Sequence, residues 1–323
     1  MKPPRAPVRL LRAPSLWLAL ALVALGALAP VVANDAPLAL RRDGAWSFPA
    51  FAELVGRAAV APDGGGWRDW LALSRPDVVV WMPPVPHGPL ATDAALAGVG
   101  PSKAHWLGCD ELGRDLLARI VHGASALSSL AAPAVALALV VGALLGTWAG
   151  LRRGWFEACV LRLVELTACL PLLLFLMFAA AFLGDSATVA RLALAALLWP
   201  SFARIARAEA LALAQREFVR TARGLGVSEA RLLFAHVLPQ MKGPLATTAA
   251  FCVAAAVVAE ATLAFLGLAT GSASTSWGEM LRSGVERAAL GEWRPWAAPA
   301  AALTLVVLAC HRVAERFRDD PAR

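Results

Sequence analysis

The residues of this sequence most able to do work do not form a catalytic set. Phe218, Ala222 and Leu225 recur at i, i+4 and i+7, which puts one apolar stripe on a short basic helix. Gly224 and Gly226 break that pattern, Ser228 is placed to cap a second helix running to Val237, and Pro239 is expected to stop it. The product is a helix–turn–helix bracket with too little apolar area to stand alone, so it is expected to dock onto something. A basic interfacial helix held by anionic lipid is the other reading of the same periodicity.

Two further sets of charges stand out. Asp110-Glu111-Leu112-Gly113-Arg114-Asp115 leads into Leu116, Leu117, Ile120 and Val121, whose spacing gives one apolar face. A short amphipathic helix on the outer surface is expected, or else a solvated charge cluster capping a helix. Glu260 lies 17 residues beyond Gly243, about 26 Å along a helix and so near an outer interface. It reads as an outer gate or external contact, or as a snorkelling acid near a helix end. Arg162 and Glu165 are three apart and can pair.

Bond-making chemistry finds no support. A P-loop needs G-x-x-x-x-G-K-[ST], and the only lysines are Lys2, Lys103 and Lys242, none in that setting. H-E-x-x-H and G-x-S-x-G are absent, there is no C-x-x-C pair, and His87, His105, His122, His236 and His311 are scattered. No enzyme activity, cofactor or metal site is therefore expected in this chain. Cys109 lacks a partner in its own segment, so no intramolecular disulfide is expected.

The elements that must position these residues follow from composition. The 323 residues are 59% hydrophobic and 16% charged, against about 25% charge in soluble domains. The apolar residues fall in six blocks: Ser15–Val32, Gly123–Leu151, Leu161–Leu183, Ala187–Ile205, Gly243–Leu268 and Trp296–Cys310. Basic residues at Lys2, Arg5, Arg9 and Arg12 precede the first block, which reads as an uncleaved anchor or a signal peptide. Between the fourth and fifth blocks, Arg204–Lys242 carries seven basic residues against three acids, whereas Asn34–Gly123 holds eight against ten. By the positive-inside rule the first stretch is cytoplasmic and the second external. The aromatics Trp46, Phe48, Phe51, Trp67, Trp70 and Trp81 mark that external segment as folded. The net charge of +7 is then a matter of topology, and no nucleic-acid partner is expected.

Gln215–Gln240 resembles the EAA loop of binding-protein-dependent ABC importer permeases, with its spacing of glycine, nine residues, then a position followed by x-Leu-Pro falling on Gly226, His236, Leu238 and Pro239. Arg220 and Thr221 replace the first two letters of the motif and Ala222 keeps the third. His105–Asp115, and Glu260–Leu268 followed by Ser276-Trp277-Gly278, are similar to segments of C-type permeases of the dipeptide/oligopeptide/nickel family. Ala33–Leu38, Trp46–Pro49 and Trp81–Pro86 resemble the branch associated with oligopeptide and microcin C uptake.

The resemblance implies an all-α protein of the bacterial inner membrane, with both termini cytoplasmic and six transmembrane helices. Its expected parts are a tail (1–14), a first helix (15–33), a periplasmic segment (34–123), a permease domain (124–310) with a coupling loop (206–242), and a second tail (311–323). It implies a second permease subunit forming a heterodimer, two cytoplasmic ATPase subunits that bind ATP and Mg, and a periplasmic solute-binding protein delivering peptides or peptide-like solutes. Coupling to the ATPase would rest on Phe218, Ala222, Arg223, Leu225, Gly226, Ser228, His236, Leu238 and Pro239. Asp110, Glu111, Arg114, Asp115 and Glu260 would serve as gate or external contacts. A self-sufficient secondary transporter or channel is the alternative; it would typically carry midplane ionisable residues and internal repeats.

Overall fold

A computed structural model describes residues 14–42, 44–54, 61–63, 65–73, 78–184, 186–268 and 275–318, with no side-chain detail for 14–16. Lys2, Arg5, Arg9 and Arg12, and residues 319–323 of the second tail, lie outside the described residues. In chain order the principal elements are α1 (Pro14–Ala27), β1 (Ala39–Arg42), β2 (Ala45–Ser47), α2 (Pro49–Leu54), α3 (Trp67–Ala72) and β3 (Val79–Trp81). They continue as α4 (Leu116–Gly123), α5 (Ala132–Arg152), α6 (Trp155–Ala168), α7 (Leu172–Leu183), α8 (Ala187–Ala214) and α9 (Glu217–Gly224). After Glu229–Arg231 and its extension come α10 (Lys242–Phe265), α11 (Trp277–Ala288) and α12 (Arg294–Arg318).

Among the described residues, four stretches are long and apolar enough to cross a bilayer: Leu116–Arg152, Ala187–Ala214, Glu229–Phe265 and Arg294–Arg318. A fifth arises if α6 and α7, bent by 84° at their junction, count as one crossing. The uninterrupted third span expected over Leu161–Leu183 is thus replaced by two helices. Pro171 is the physical reason: it sits in extended conformation (φ −65°, ψ 123°) just before α7, and the residue preceding a proline is driven out of helical geometry. The first expected span is a shorter apolar helix at Trp17–Ala27.

The chain divides into two compact units. The first, residues 1–19, 130–259 and 305–323, is organised by the contact between α5 and α8. Gly142, Gly146 and Gly150 recur every fourth residue and face Trp199, Phe202, Ala203, Arg207 and Ala210 of α8. A Cβ on Gly146 would overlap the Ala203 carbonyl, so hydrogen at these positions lets the two backbones meet. Such small-residue seams suit lipid, where burial of apolar side chains supplies no force between helices. Val160 and Val164 of α6 close the seam's flank against Ala149 and Ala203, and Arg207 Nε donates to Glu157 at 2.7 Å, tying α8 to α6.

The second unit, residues 20–129 and 260–304, corrects the all-helical expectation. It holds a three-stranded antiparallel sheet of order β2-β1-β3, with Arg41 opposite both Trp46 and Val79. The inward face contributes Leu40 to a core with Ala36, Ala61, Trp67 and Trp70, whose two indoles meet edge to face at 5.7 Å. Of the six aromatics that mark this segment as folded, only these two are buried; Trp46, Phe48, Phe51 and Trp81 are exposed. The surface helix expected from Leu116 is α4, and it is buried: Leu116, Ala118, Arg119 and Val121 are all enclosed. Trp277 of α11 lies against Gly123 and donates from Nε1 to the Ile120 carbonyl at 2.9 Å. Charged residues on α4 therefore meet protein where the sequence pattern suggested solvent.

Gly146→Val is expected to force α5 off α8 and destabilise the chain by about 1–3 kcal/mol, measured as a lower thermal midpoint of the detergent-solubilised protein. Gly224→Ala, where an added Cβ meets open space, is the neutral control.

Candidate functional site

Two constellations emerge from these elements. The first is the bracket. α9 begins after Arg216 and ends in a glycine stop: Leu225 is the cap, Gly226 takes φ +77°, Gly226 N donates to the Arg223 carbonyl at 3.0 Å, and Val227 N donates to the Ala222 carbonyl at 3.1 Å. That pair of bonds is the Schellman arrangement, and only a residue tolerant of positive φ fits its turn without strain. Ser228 then accepts from the Arg231 amide and opens the second arm.

The second arm departs from expectation. After Glu229–Arg231 the helix widens into π-type turns over Leu232–Val237, tightens over Leu238–Met241, and runs on into α10. Pro239 does not stop it. The wide and tight turns absorb the missing amide and the ring, as local changes of helical pitch can.

The bracket has two faces. Val219, Leu232, Leu233, Val237 and Met241 are almost wholly enclosed within the first unit, and Thr147 Oγ1 of α5 lies 3.6 Å from Met241 Sδ. Phe218, Leu225 and Phe234 are 39%, 80% and 59% exposed; Ala222 and Leu238 are half-buried, and His236 and Pro239 are exposed. The stripe read from the sequence is thus the outward face. The inward anchors were missed because Val219 lies off the Phe218–Ala222–Leu225 stripe. Arg223 locks the two arms together, Nε to Glu229 Oε1 at 2.8 Å and Nη2 to Oε2 at 3.1 Å, and Nη2 also donates to the Leu151 carbonyl at the end of α5.

The second constellation is a buried charge cluster. Asp110 Oδ1 accepts from the amides of Leu112 and Arg114, both at 2.9 Å, and Oδ2 accepts from Arg114 Nε at 2.8 Å and from Arg119 Nη1. Arg119 is 1% exposed, and its Nη2 also lies 3.3 Å from Glu279 Oε2 of α11. Glu111 pairs with Arg287 of the same helix at 3.5 Å. Asp115 caps α4, accepting from the Ala118 amide at 2.7 Å. Glu260 does not snorkel: it is buried and shares a hydrogen bond with Ser276. Most of the cluster is thus enclosed within the second unit, and its central residue, Arg119, was passed over because the apolar block was counted from Gly123. The available signal was a lone guanidinium within Leu-Leu-Ala-Arg-Ile-Val.

Burial raises the Asp110 carboxyl, but the Arg114 amide and the Arg114 and Arg119 guanidinium groups outweigh it and bring it below its usual value. Arg162 and Glu165 pair on the exposed face of α6 at 2.8 Å.

Long apolar helices seamed through glycines, with a bracket that turns Phe218, Leu225 and Phe234 away from its own unit, describe a multi-pass membrane component. A family model, the binding-protein-dependent transport system inner membrane component, matches residues 142–319. A putative peptide permease protein of Brucella ovis is 36% identical over 246 residues, 75% of this chain and 80% of the relative. A probable D,D-dipeptide transport system permease protein of Escherichia coli is 34% identical over 237 residues, 73% and 79% of the two chains. A glutathione transport system permease protein of Pectobacterium atrosepticum is 30% identical over 226 residues, 69% and 74%. The chain belongs to the binding-protein-dependent inner membrane permease family and is a transmembrane permease subunit of an ABC importer.

Asp110→Asn is expected to cost about 3–5 kcal/mol by leaving buried Arg119 short of a counter-charge, measured by chemical denaturation at neutral pH. Because the folded carboxyl is depressed, its contribution is complete above the unfolded value of about 3.9 and fades only as pH falls below that, through the folded value. A destabilisation that already disappears near pH 6 contradicts this assignment.

Proposed function

We propose that this chain forms half of the translocation pathway for peptides or peptide-like solutes and takes its drive from a cytoplasmic ATPase gripping the bracket. The observation that carries the reading is the division of the bracket into an enclosed face and an apolar outward face at Phe218, Leu225 and Phe234. Exposed aromatic and aliphatic anchors on a stiff element suit a hydrophobic cleft. The names of the relatives, which concern peptide, D,D-dipeptide and glutathione transport, support cargo of that class. A second permease, two ATPase subunits holding ATP and Mg, and a periplasmic solute-binding protein complete the proposed assembly. Both termini lie in the cytoplasm in this reading, with six crossings of which α1 is the first.

Mechanically, closure of the ATPase pair displaces the bracket as one body. The arms continue into α8 and α10, so the displacement biases those helices between outward-open and inward-open arrangements. Asp110, Glu111, Arg114, Asp115 and Glu260 contribute in this scheme by holding the external unit together.

Leu225→Asp, on a side chain its own unit barely covers, is expected to leave membrane insertion intact. ATPase subunits should copurify poorly, and binding-protein-stimulated ATP turnover in proteoliposomes should drop by at least about tenfold, the scale of a lost interface anchor. Undiminished turnover together with normal copurification removes the bracket from the coupling path.

A further inference from the structure

Three ligating side chains that are scattered in the sequence meet in the second unit. His87, His105 and Asp115 each bring one possible ligand atom to within 4.8 Å of the others. Their existing bonds define which atoms are free. His87 Nε2 lies 3.0 Å from the Ala104 carbonyl; a ring nitrogen facing a carbonyl must donate, so the neutral ring carries its lone pair on Nδ1. That Nδ1 is buried and has no hydrogen-bond partner among the described residues. His105 Nδ1 donates to Asp115 Oδ2 at 2.8 Å, while Oδ1 of the same carboxylate caps α4. Oδ2 can therefore exchange its partner while the cap persists. The site lies outside residues 142–319, the part of the chain that the family model covers.

We propose that His87, His105 and Asp115 bind one divalent transition-metal ion of zinc type, seated where the proton now bridges His105 and Asp115. Its ligands are His87 Nδ1, His105 Nδ1 and Asp115 Oδ2, with water completing the set. Two imidazoles and a carboxylate suit Zn2+ and serve Mg2+ or Ca2+ poorly, since those ions take oxygen ligands. Protons balance within His105: the neutral ring releases the proton on Nδ1 to solvent and takes one from solvent on Nε2. The two rings now stack with centroids 4.3 Å apart, and they must fan apart for both lone pairs to meet one ion. His87, half-buried, is the ring with room to turn. An ion held there fastens the stretch after β3 and the turn at Ser102–His105 to the start of α4, the helix that carries Arg119.

The test uses the full chain with its partner subunits in detergent, without a polyhistidine tag, stripped by a chelator and titrated with Zn2+ or Co2+. One equivalent is expected to bind, to raise the thermal midpoint, and with Co2+ to give the visible absorption of a low-coordinate nitrogen and oxygen site. His87→Phe keeps a ring stacked on His105 while removing Nδ1; it is expected to fold as the parent does and to bind at least about tenfold more weakly. His311→Ala, on α12, is expected to retain the full affinity. Absence of a saturable first equivalent, or equal affinity in the folded His87→Phe chain, overturns the proposal.

Discussion

The close approach of α5 and α8 is the contact on which the rest of the first unit depends. In lipid, two helices gain nothing from hiding leucines, so their backbones must come near enough for dispersion to act along the whole seam. Gly142, Gly146 and Gly150 permit that approach, opposite Ala203 and Ala210. Once it is made, the C-terminal end of α5 is fixed beside the bracket. The Leu151 carbonyl then meets Arg223 and Thr147 meets Met241, so the bracket is registered to the seam through both of its arms.

The second unit is held in a different way. Asp110 sits among two guanidinium groups and two amides, and Glu279 supplies a second negative charge to Arg119. Removing these charges from water is costly, and attraction repays it only when hydrogen bonds are nearly complete. Asp110 meets that condition. Arg119 does so less fully, since its Nε has no hydrogen-bond partner among the described residues. Such a cluster gives α4 one orientation against α11 more than it adds stability.

What the sequence disclosed and what it hid divide along a physical line. Gly226 and Ser228 were readable because a glycine stop and a serine cap are local devices, specified by a few consecutive residues. The pairing of Arg162 with Glu165 is local for the same reason. Pro239 misled because a proline's effect depends on whether nearby turns can widen to receive it, and Leu232–Val237 do. Pro171 had the opposite fate, dividing α6 from α7 in what read as one apolar block. The burial of α4, the choice of Trp67 and Trp70 over the other aromatics, and the meeting of His87 with His105 all depend on contacts between distant segments. No periodicity in a single strand or helix encodes them.

The stiffness of the bracket does not come from its most visible interaction. The Arg223–Glu229 pair is about one-third exposed on each side, and pairs of that kind contribute little to stability in water. Its geometric role is larger, because the bidentate fork fixes both arms and a third bond reaches α5. The Gly226 turn fixes the angle between the arms, and Val219, Leu232, Leu233 and Val237 pin the inner face. Each restraint acts at a different point. In the proposed coupling, a load applied at Leu225 would meet an element braced at its turn, across its arms and along its inner face, and would pass into α8 and α10.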